Sequence, residues 1–359
     1  MAGNDTRRWR VVGGMICGLL LITGRLSAGD EPALRGMKYT SRSLAQAAAW
    51  QQDVRAKLWP LLKLDDLIAD RASIALNPTQ ISAEKKDGYE LQEIEINSTP
   101  TRRIKVLVAR PAAETGTVAD QPDRGLPPSS AIPSAPVSSR PAVVCIHGHS
   151  GTRRIVYDAD SLYRGFAAAL AKRGYITIAA DVCQHAVYEA ERTLMGERLW
   201  DLMRCVDYLE SLPEVDQSRI GCAGLSLGGE MAMWLGAMDT RIAATLSSGF
   251  LTRMDQMERN HCMCWKFDGL RELVDFADIY SLTAPRALLC QNGLQEPLSQ
   301  FPVSLAADAL GEIGLIYTDY GQPQNAALQA HLEGHIIHLP GLLAFFEENL
   351  RKAPEDAAK

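Results

Sequence analysis

The sequence predicts an α/β fold: a mostly parallel sheet of about eight strands, helices on both faces, and a leading helical segment. The main observation is that, after residue 140, short continuous apolar runs alternate with longer helical ones. Continuous apolar strands separated by helices imply right-handed crossovers and a parallel sheet covered on both faces. A second observation is that no repeat of 20 to 50 residues is visible, which argues against a solenoid or propeller.

The first elements precede this alternation. Apolar residues recur every three or four positions across residues 43–70, which predicts helix outside the sheet. Residues 89–96 and 103–110 have strand-like composition, and the first run alternates apolar and polar side chains. We expect these two runs to form an antiparallel pair at the entry to the sheet.

The alternating part then fills the rest of the chain. The predicted strands are residues 142–146, 175–181, 219–223, 243–248, 286–291 and 314–318, and the predicted helices are 161–173, 192–211, one from residue 226, 302–310 and 339–350. We therefore divide the chain into an N-terminal helical segment, 29–85, and one α/β domain, 86–351.

Two segments interrupt the pattern. Residues 111–140 contain six prolines and little apolar content, which is typical of a flexible insertion. Residues 250–284 lie where they could roof a site, although packing into the core explains their apolar side chains equally well.

The N-terminus has the layout of a secretory signal peptide over residues 1–28. Arg7, Arg8 and Arg10 precede an apolar run, residues 11–23, and small residues follow it at 27–29. The run is short for a membrane span. We therefore expect cleavage near Ala28 and an exported protein, periplasmic or extracellular. Leu26 is an unfavourable residue at the third position before that cleavage site, so an uncleaved membrane anchor is the alternative.

Composition excludes some classes of partner and cofactor. The net charge of −6 and the absence of a basic face beyond the N-terminus argue against nucleic acid. Cys262 and Cys264 are two residues apart, with no second Cys or His pair at zinc spacing, so no metal site is expected. No cofactor is implied either. Cys145, Cys222 and Cys290 fall in predicted central strands, where free cysteine behaves as a small hydrophobe.

The sharpest motif is Gly224-Leu225-Ser226-Leu227-Gly228, which follows a predicted strand and opens a predicted helix. This is the nucleophile elbow, in which glycines permit a tight turn that raises the serine hydroxyl to the start of a helix. The helix dipole there favours developing negative charge. An ordinary glycine-rich turn is the competing interpretation.

A nucleophilic serine needs a base and an acid after it in the chain. His335, between the last strand and the last helix, is the predicted general base, with His331 in reserve. Glu296, on the loop after strand 286–291, is the predicted acid that orients the imidazole, with Asp278 and Asp319 as substitutes.

The developing oxyanion needs backbone donors. His147-Gly148-His149 follows the strand at 142–146, the position that supplies one such amide, and the residue after the nucleophile supplies the other. We assign these roles to the amides of His149 and Leu227. The imidazoles of His147 and His149 are interpreted as structural hydrogen-bonding groups.

Together these stretches, with the runs at 215–221, 239–244 and 284–286, resemble the dienelactone-hydrolase-like and acetylxylan-esterase-like branch of the α/β-hydrolases, over residues 141–350. The resemblance implies that Ser226, Glu296 and His335 form a triad. Two departures matter: dienelactone hydrolase proper uses a cysteine nucleophile, and the acid in the family is more often Asp.

The sequence thus predicts an exported serine esterase acting on a small-molecule or carbohydrate ester. A peptidase or amidase of the same fold is the first alternative, disfavoured because 359 residues leave no room for the propeller of the prolyl-oligopeptidase relatives. A catalytically silent binding protein on the same scaffold is the second.

Overall fold

A computed structural model describes residues 35–40, 42–112 and 139–351. The predicted signal peptide, 1–28, and most of the proline-rich insertion, 113–138, lie outside the described residues. Pro111 and Arg140, at the ends of that insertion, belong to strands of the sheet.

The described part of the chain forms one nine-stranded sheet in the order β1-β2-β3-β5-β4-β6-β7-β8-β9. All neighbours from β5 through β9 are parallel, and β1, β2 and β3 add an antiparallel edge. The strands are β1 (Thr79–Lys86), β2 (Tyr89–Asn97), β3 (Arg103–Pro111), β4 (Arg140–Ile146), β5 (Ile176–Ala180), β6 (Val215–Leu225), β7 (Ile242–Ser248), β8 (Ala287–Gly293) and β9 (Ala326–His331).

Helices cover both faces of this sheet. They are α1 (Leu44–Leu62), α2 (Asp65–Asp70), α3 (Phe166–Ala171), α4 (Leu194–Glu210), α5 (Leu227–Met238), α6 (Met254–Asn260), α7 (Leu270–Leu273), α8 (Phe276–Ser281), α9 (Val303–Asp319) and α10 (Leu339–Phe346). Side chains of α1, α4, α5, α8 and α9 share one hydrophobic core, and those of α3 and α10 share the core on the opposite face. The predicted α/β fold and entry pair are therefore confirmed.

The strand predicted at residues 314–318 is wrong, because these residues form the end of α9. Ile313, Ile316 and Tyr317 are buried at helical spacing, and their β-branched neighbours imitated a strand. The true last strand is β9, whose sequence Ala-Ala-Leu-Gln-Ala-His contains no β-branched residue. The edge strand β1 was also missed, since nearly all its side chains are exposed.

The leading helical segment is confirmed as α1 and α2. Ser43 caps α1 by accepting a hydrogen bond from the Gln46 amide, and Lys63 in the left-handed conformation ends it. The buried face of α1 carries Val54, Leu58 and Leu62 at spacings of four residues. No helix among the described residues has the length and apolar character needed to cross a bilayer.

The segment 250–284 contains α6, α7 and α8. Met254, Met257 and Trp265 from this segment are buried in the larger core. Cys145, Cys222 and Cys290 are buried in β4, β6 and β8, as the sequence predicted for central strands.

Candidate active site

Ser226 lies at the turn between β6 and α5, with φ 62° and ψ −126°. A positive φ is strained for a residue with a side chain, and such strain is characteristic of functional turns. The Ser226 amide donates to the Ser248 carbonyl at 2.9 Å, which fixes the turn against the end of β7. The described serine therefore has the predicted strand-turn-helix setting of an elbow.

Glycine at position 228 is required by close packing under this turn. A Cβ there would lie 2.3 Å from the Ile146 carbonyl oxygen, in the neighbouring strand β4. No side chain fits at that distance, so only glycine lets α5 begin this close to the sheet. The elbow and the end of β4 are thereby held together.

His335 and Glu296 are in contact, as predicted. His335 Nδ1 lies 2.8 Å from Glu296 Oε1. The Glu296 side chain is 1% exposed and that of His335 is 27% exposed. A carboxylate in this position accepts from Nδ1, and Nε2 is then the ring nitrogen available to take up a proton.

The loops after β8 and β9 are bound to each other, and this places the acid beside the histidine. The amides of Leu294 and Gln295 donate to the carbonyls of His331 and Glu333, at 2.8 and 3.1 Å. A Cβ at Gly293 would lie 2.3 Å from the Glu333 carbonyl oxygen, so this close approach also needs glycine. Glu296 follows three residues later, its amide donating to the Gly293 carbonyl.

The loop after β4 carries His149. The His147 ring is fully buried: its Nε2 accepts from the Val182 amide at 3.1 Å, and its Nδ1 lies 2.8 Å from the Gly148 carbonyl oxygen. The Gly148 amide donates to the Tyr163 hydroxyl at 2.5 Å. The His147 imidazole thus has the structural role that the sequence predicted, and Tyr163 is a further support that the sequence did not identify.

A cavity of about 160 Å³ brings the predicted residues together. Ser226, Leu227, His149 and His335 all line it. Leu227 is the first residue of α5, so its amide has no acceptor within the helix. Among the described residues, Ser226 Oγ has no hydrogen-bond partner; the contact between nucleophile and base is often long before substrate binds.

The remaining wall of the cavity comes partly from the segment 250–284, which the sequence analysis named as a possible roof, and partly from Glu230, Gln300 and Phe301, which it did not assign to the site. Met257, Cys262 and Cys264 belong to the 250–284 segment, which therefore contributes both to the core and to the cavity. The ring of Phe301 stacks on His335 with centroids 5.5 Å apart. No short motif marks these residues, because they come from segments far apart in the chain.

The reserve candidates lie elsewhere or serve other purposes. Asp278 takes part in the capping box of α8 and pairs with Arg35. Asp319, at the end of α9, accepts from the Tyr39 hydroxyl at 2.6 Å. The His331 ring stacks on that of His338, with centroids 5.5 Å apart, and burial lowers the pKa of His331.

Cys262 and Cys264 have histidine neighbours that the sequence did not reveal. His149 and His185, from the loops after β4 and β5, lie beside the two cysteines, and the four potential ligand atoms are within 4.8 Å of one another. No close spacing in the sequence marks them, because the two histidines come from separate loops far from the cysteines in the chain.

Comparisons with known proteins agree with the fold. The family model for the dienelactone hydrolase family matches residues 129–253. The chain is 26% identical over 221 residues to YtaP of Bacillus subtilis (strain 168), a protein named provisionally as a hydrolase; the match covers 54% of this chain and 73% of YtaP.

Solved structures share the fold. One from Bacteroides fragilis NCTC 9343, provisionally an acetyl xylan esterase, has a TM-score of 0.65 at 18% identity, covering 84% of this chain and 79% of that one. A glucuronoyl esterase of carbohydrate esterase family 15 from Caldicellulosiruptor kristjansonii has a TM-score of 0.58 at 14% identity, covering 90% and 91%.

Proposed function

We propose that this chain is a serine carboxylic ester hydrolase. The premise is that it belongs to the α/β-hydrolase superfamily, in the dienelactone-hydrolase-like and acetylxylan-esterase-like branch. The observation that carries the proposal is the His335–Glu296 pair, 2.8 Å apart, on the same cavity as a strained Ser226. A serine on such a turn with a buried acid-histidine pair beside it is the arrangement that nucleophilic acyl transfer needs.

The first half of the reaction forms an acyl-enzyme. Ser226 Oγ attacks the ester carbonyl carbon while its proton passes to His335 Nε2, and Glu296 stabilises the resulting imidazolium. The carbonyl oxygen becomes an alkoxide, to which the amides of Leu227 and His149 donate hydrogen bonds. Each such donor contributes roughly 10²- to 10³-fold in rate.

Collapse of the tetrahedral intermediate breaks the ester C–O bond. His335 returns the proton to the leaving alcohol, and the acyl group remains on Ser226. Water then attacks the acyl-enzyme with His335 again acting as the base, which releases the carboxylic acid and restores the serine.

The size of the cavity favours a short acyl group. About 160 Å³ is below the roughly 300 to 1,000 Å³ of pockets that enclose a drug-sized ligand. An acetyl group fits this space, whereas the alcohol part would extend towards solvent. Since relatives of this fold include proteins described as carbohydrate esterases, an acetylated carbohydrate is the substrate class we favour.

A fluorophosphonate probe tests the nucleophile. We expect the wild-type chain and Ser299→Ala, an exposed serine beside the cavity, to be labelled, and Ser226→Ala to be unlabelled. Undiminished labelling of Ser226→Ala would assign the nucleophile to another residue and contradict the mechanism. No labelling of the wild type would contradict it too and would favour a binding protein.

A substrate panel tests the chemistry. We expect p-nitrophenyl acetate to be hydrolysed faster than esters of longer acyl chains, and acetylated xylan to release acetate. Release of an aminoacyl-amide chromophore at a comparable rate would favour the peptidase alternative instead.

Export is a separate part of the proposal. Production of the full chain in a bacterial host should yield a periplasmic or secreted protein that begins near Gly29, as mass spectrometry of the intact protein would reveal. Recovery of the full-length chain in the membrane fraction would favour the uncleaved anchor.

A further inference from the structure

We propose that His149, His185, Cys262 and Cys264 form a site for a soft divalent cation of the zinc type at the mouth of the catalytic cavity. Their four potential ligand atoms lie within 4.8 Å of one another. His149 Nε2 is 3.2 Å from Cys264 Sγ, and the two imidazole rings have centroids 5.4 Å apart.

The distances between these four atoms are close to those between the ligand atoms around a bound zinc ion. Zinc bonds of about 2.3 Å to sulfur and about 2.0 Å to nitrogen place neighbouring tetrahedral ligand atoms roughly 3.3 to 3.8 Å apart. Side-chain rotations that move the ligand atoms by about 1 Å would bring them to tetrahedral positions. Three of the four residues are exposed and Cys264 is half-buried, so such adjustment is open to them.

The donor set selects the type of cation. Two thiolates and two imidazoles suit Zn²⁺, whereas Ca²⁺ and Mg²⁺ require oxygen ligands. With four protein ligands the coordination shell is complete. The ion would therefore have a structural effect and would not activate water.

The surrounding fold holds the ligands in place from behind. The guanidinium of Arg198, fully buried, donates to the Gln184 carbonyl at 2.5 Å and lies 3.5 Å from Cys264 Sγ. It therefore fixes the backbone next to His185 and packs against the Cys264 side chain. His147 joins the other two loops, since its ring accepts from the Val182 amide.

The consequence concerns the entrance to the active site. His149, Cys262 and Cys264 line the catalytic cavity, and the four ligands come from three separate segments. A bound ion would cross-link the 250–284 segment to the loops after β4 and β5. We expect it to stabilise the folded chain by binding only that state.

Cobalt provides a direct readout of thiolate ligation. Full-length protein, reduced with a non-chelating phosphine and with its free thiols counted, is titrated with Co²⁺. We expect one equivalent to bind with the near-ultraviolet band of thiolate-to-cobalt charge transfer and the strong visible bands of tetrahedral Co²⁺. Zn²⁺ should displace it and raise the Tm.

Variants identify the ligands. Cys262→Ser should lose about half of the charge-transfer intensity, and both Cys262→Ser and His185→Ala should bind more than about tenfold more weakly. Cys183→Ser, the matched control at a partly buried cysteine outside the cluster, should bind like the wild type. Circular dichroism establishes that each variant is folded.

The proposal is overturned if the reduced chain shows no charge-transfer band, or if Cys262→Ser and Cys264→Ser leave the band intact. Cobalt binding without that band would indicate a site elsewhere and would also contradict it. These outcomes are independent of esterase activity, so they separate this site from the proposed catalytic function.

Discussion

Glu296, the proposed acid, has a longer side chain than the aspartate that the resemblance to dienelactone-hydrolase-like proteins leads us to expect, and the loop that carries it determines its position. The amide contacts between the loops after β8 and β9 set the distance between Glu296 and His335. The carboxylate is 1% exposed, so its interaction with the imidazole is little screened by water. Whether that carboxylate supports catalysis is open to a direct test.

Glu296→Gln should lower kcat by roughly 10²- to 10⁴-fold with little change in KM, because a neutral amide no longer stabilises the imidazolium or fixes the ring tautomer. Steady-state kinetics on p-nitrophenyl acetate measure the effect. Glu333→Gln is the control, since this exposed side chain lies on the adjoining loop and pairs with Arg164. A kcat near that of the wild type would reassign the acid.

At the scale of elements, the sequence predicted the helices and strands that have a clear local periodicity. It missed those that form only through contacts with neighbouring elements. The amphipathic face of α1 and the apolar runs of β4, β6 and β7 are visible in the chain itself. β9 is a strand only because β8 lies beside it, so its low β-propensity misled the prediction.

The candidate site follows the same rule. Ser226, Glu296 and His335 could be named because the elbow is a local motif and chain order restricts the other two. The segment 250–284 could be named only as a possible roof, and Glu230, Gln300 and Phe301 could not be placed at all, since no spacing in the sequence indicates which loops meet at the sheet edge.

Helix α1 is predicted to be an integral part of the domain rather than an appendage. Gln51 donates to the carbonyls of Ser281 and Ala284, and Leu58 is fully buried. Leu58→Ala should therefore lower the free energy of unfolding by about 2 to 5 kcal/mol. Lys57→Ala, at the exposed neighbouring position, should change it by less than about 0.5 kcal/mol.

Urea unfolding of both variants gives these values. A single transition is expected in each case, since α1 shares the hydrophobic core of α4, α5 and α9. A small effect of Leu58→Ala, or a separate early transition, would mean that α1 unfolds independently of the sheet.

At the scale of the whole molecule, the cavity is built from loops at one edge of the sheet, and a buried ionisable side chain, Glu230, lines it. Glu230 and Arg198, whose charge acts on it, are both almost completely buried. Burial raises the pKa of Glu230 to about 8, although the charge of Arg198 opposes that shift. Such a group makes the stability of the entire fold depend on pH.

The direction of that dependence follows from proton binding. An unfolded glutamate releases its proton near pH 4.3, whereas folded Glu230 retains it to about pH 8. Between these values the native state binds the extra proton, so this group's contribution to stability falls as pH rises, by up to about 1.4 kcal/mol per pH unit.

Glu230→Gln should remove that loss, because glutamine resembles the protonated acid and does not ionise. Relative to wild type, this variant should therefore be clearly more stable at pH 8 than at pH 5.5. Urea titrations at the two pH values would measure this as a larger difference in the free energy of unfolding at pH 8. Glu348→Gln, at an exposed position, should show no such difference. If Glu230→Gln is destabilised equally at both values, Glu230 is ionised throughout and its carboxylate is stabilised by Arg198.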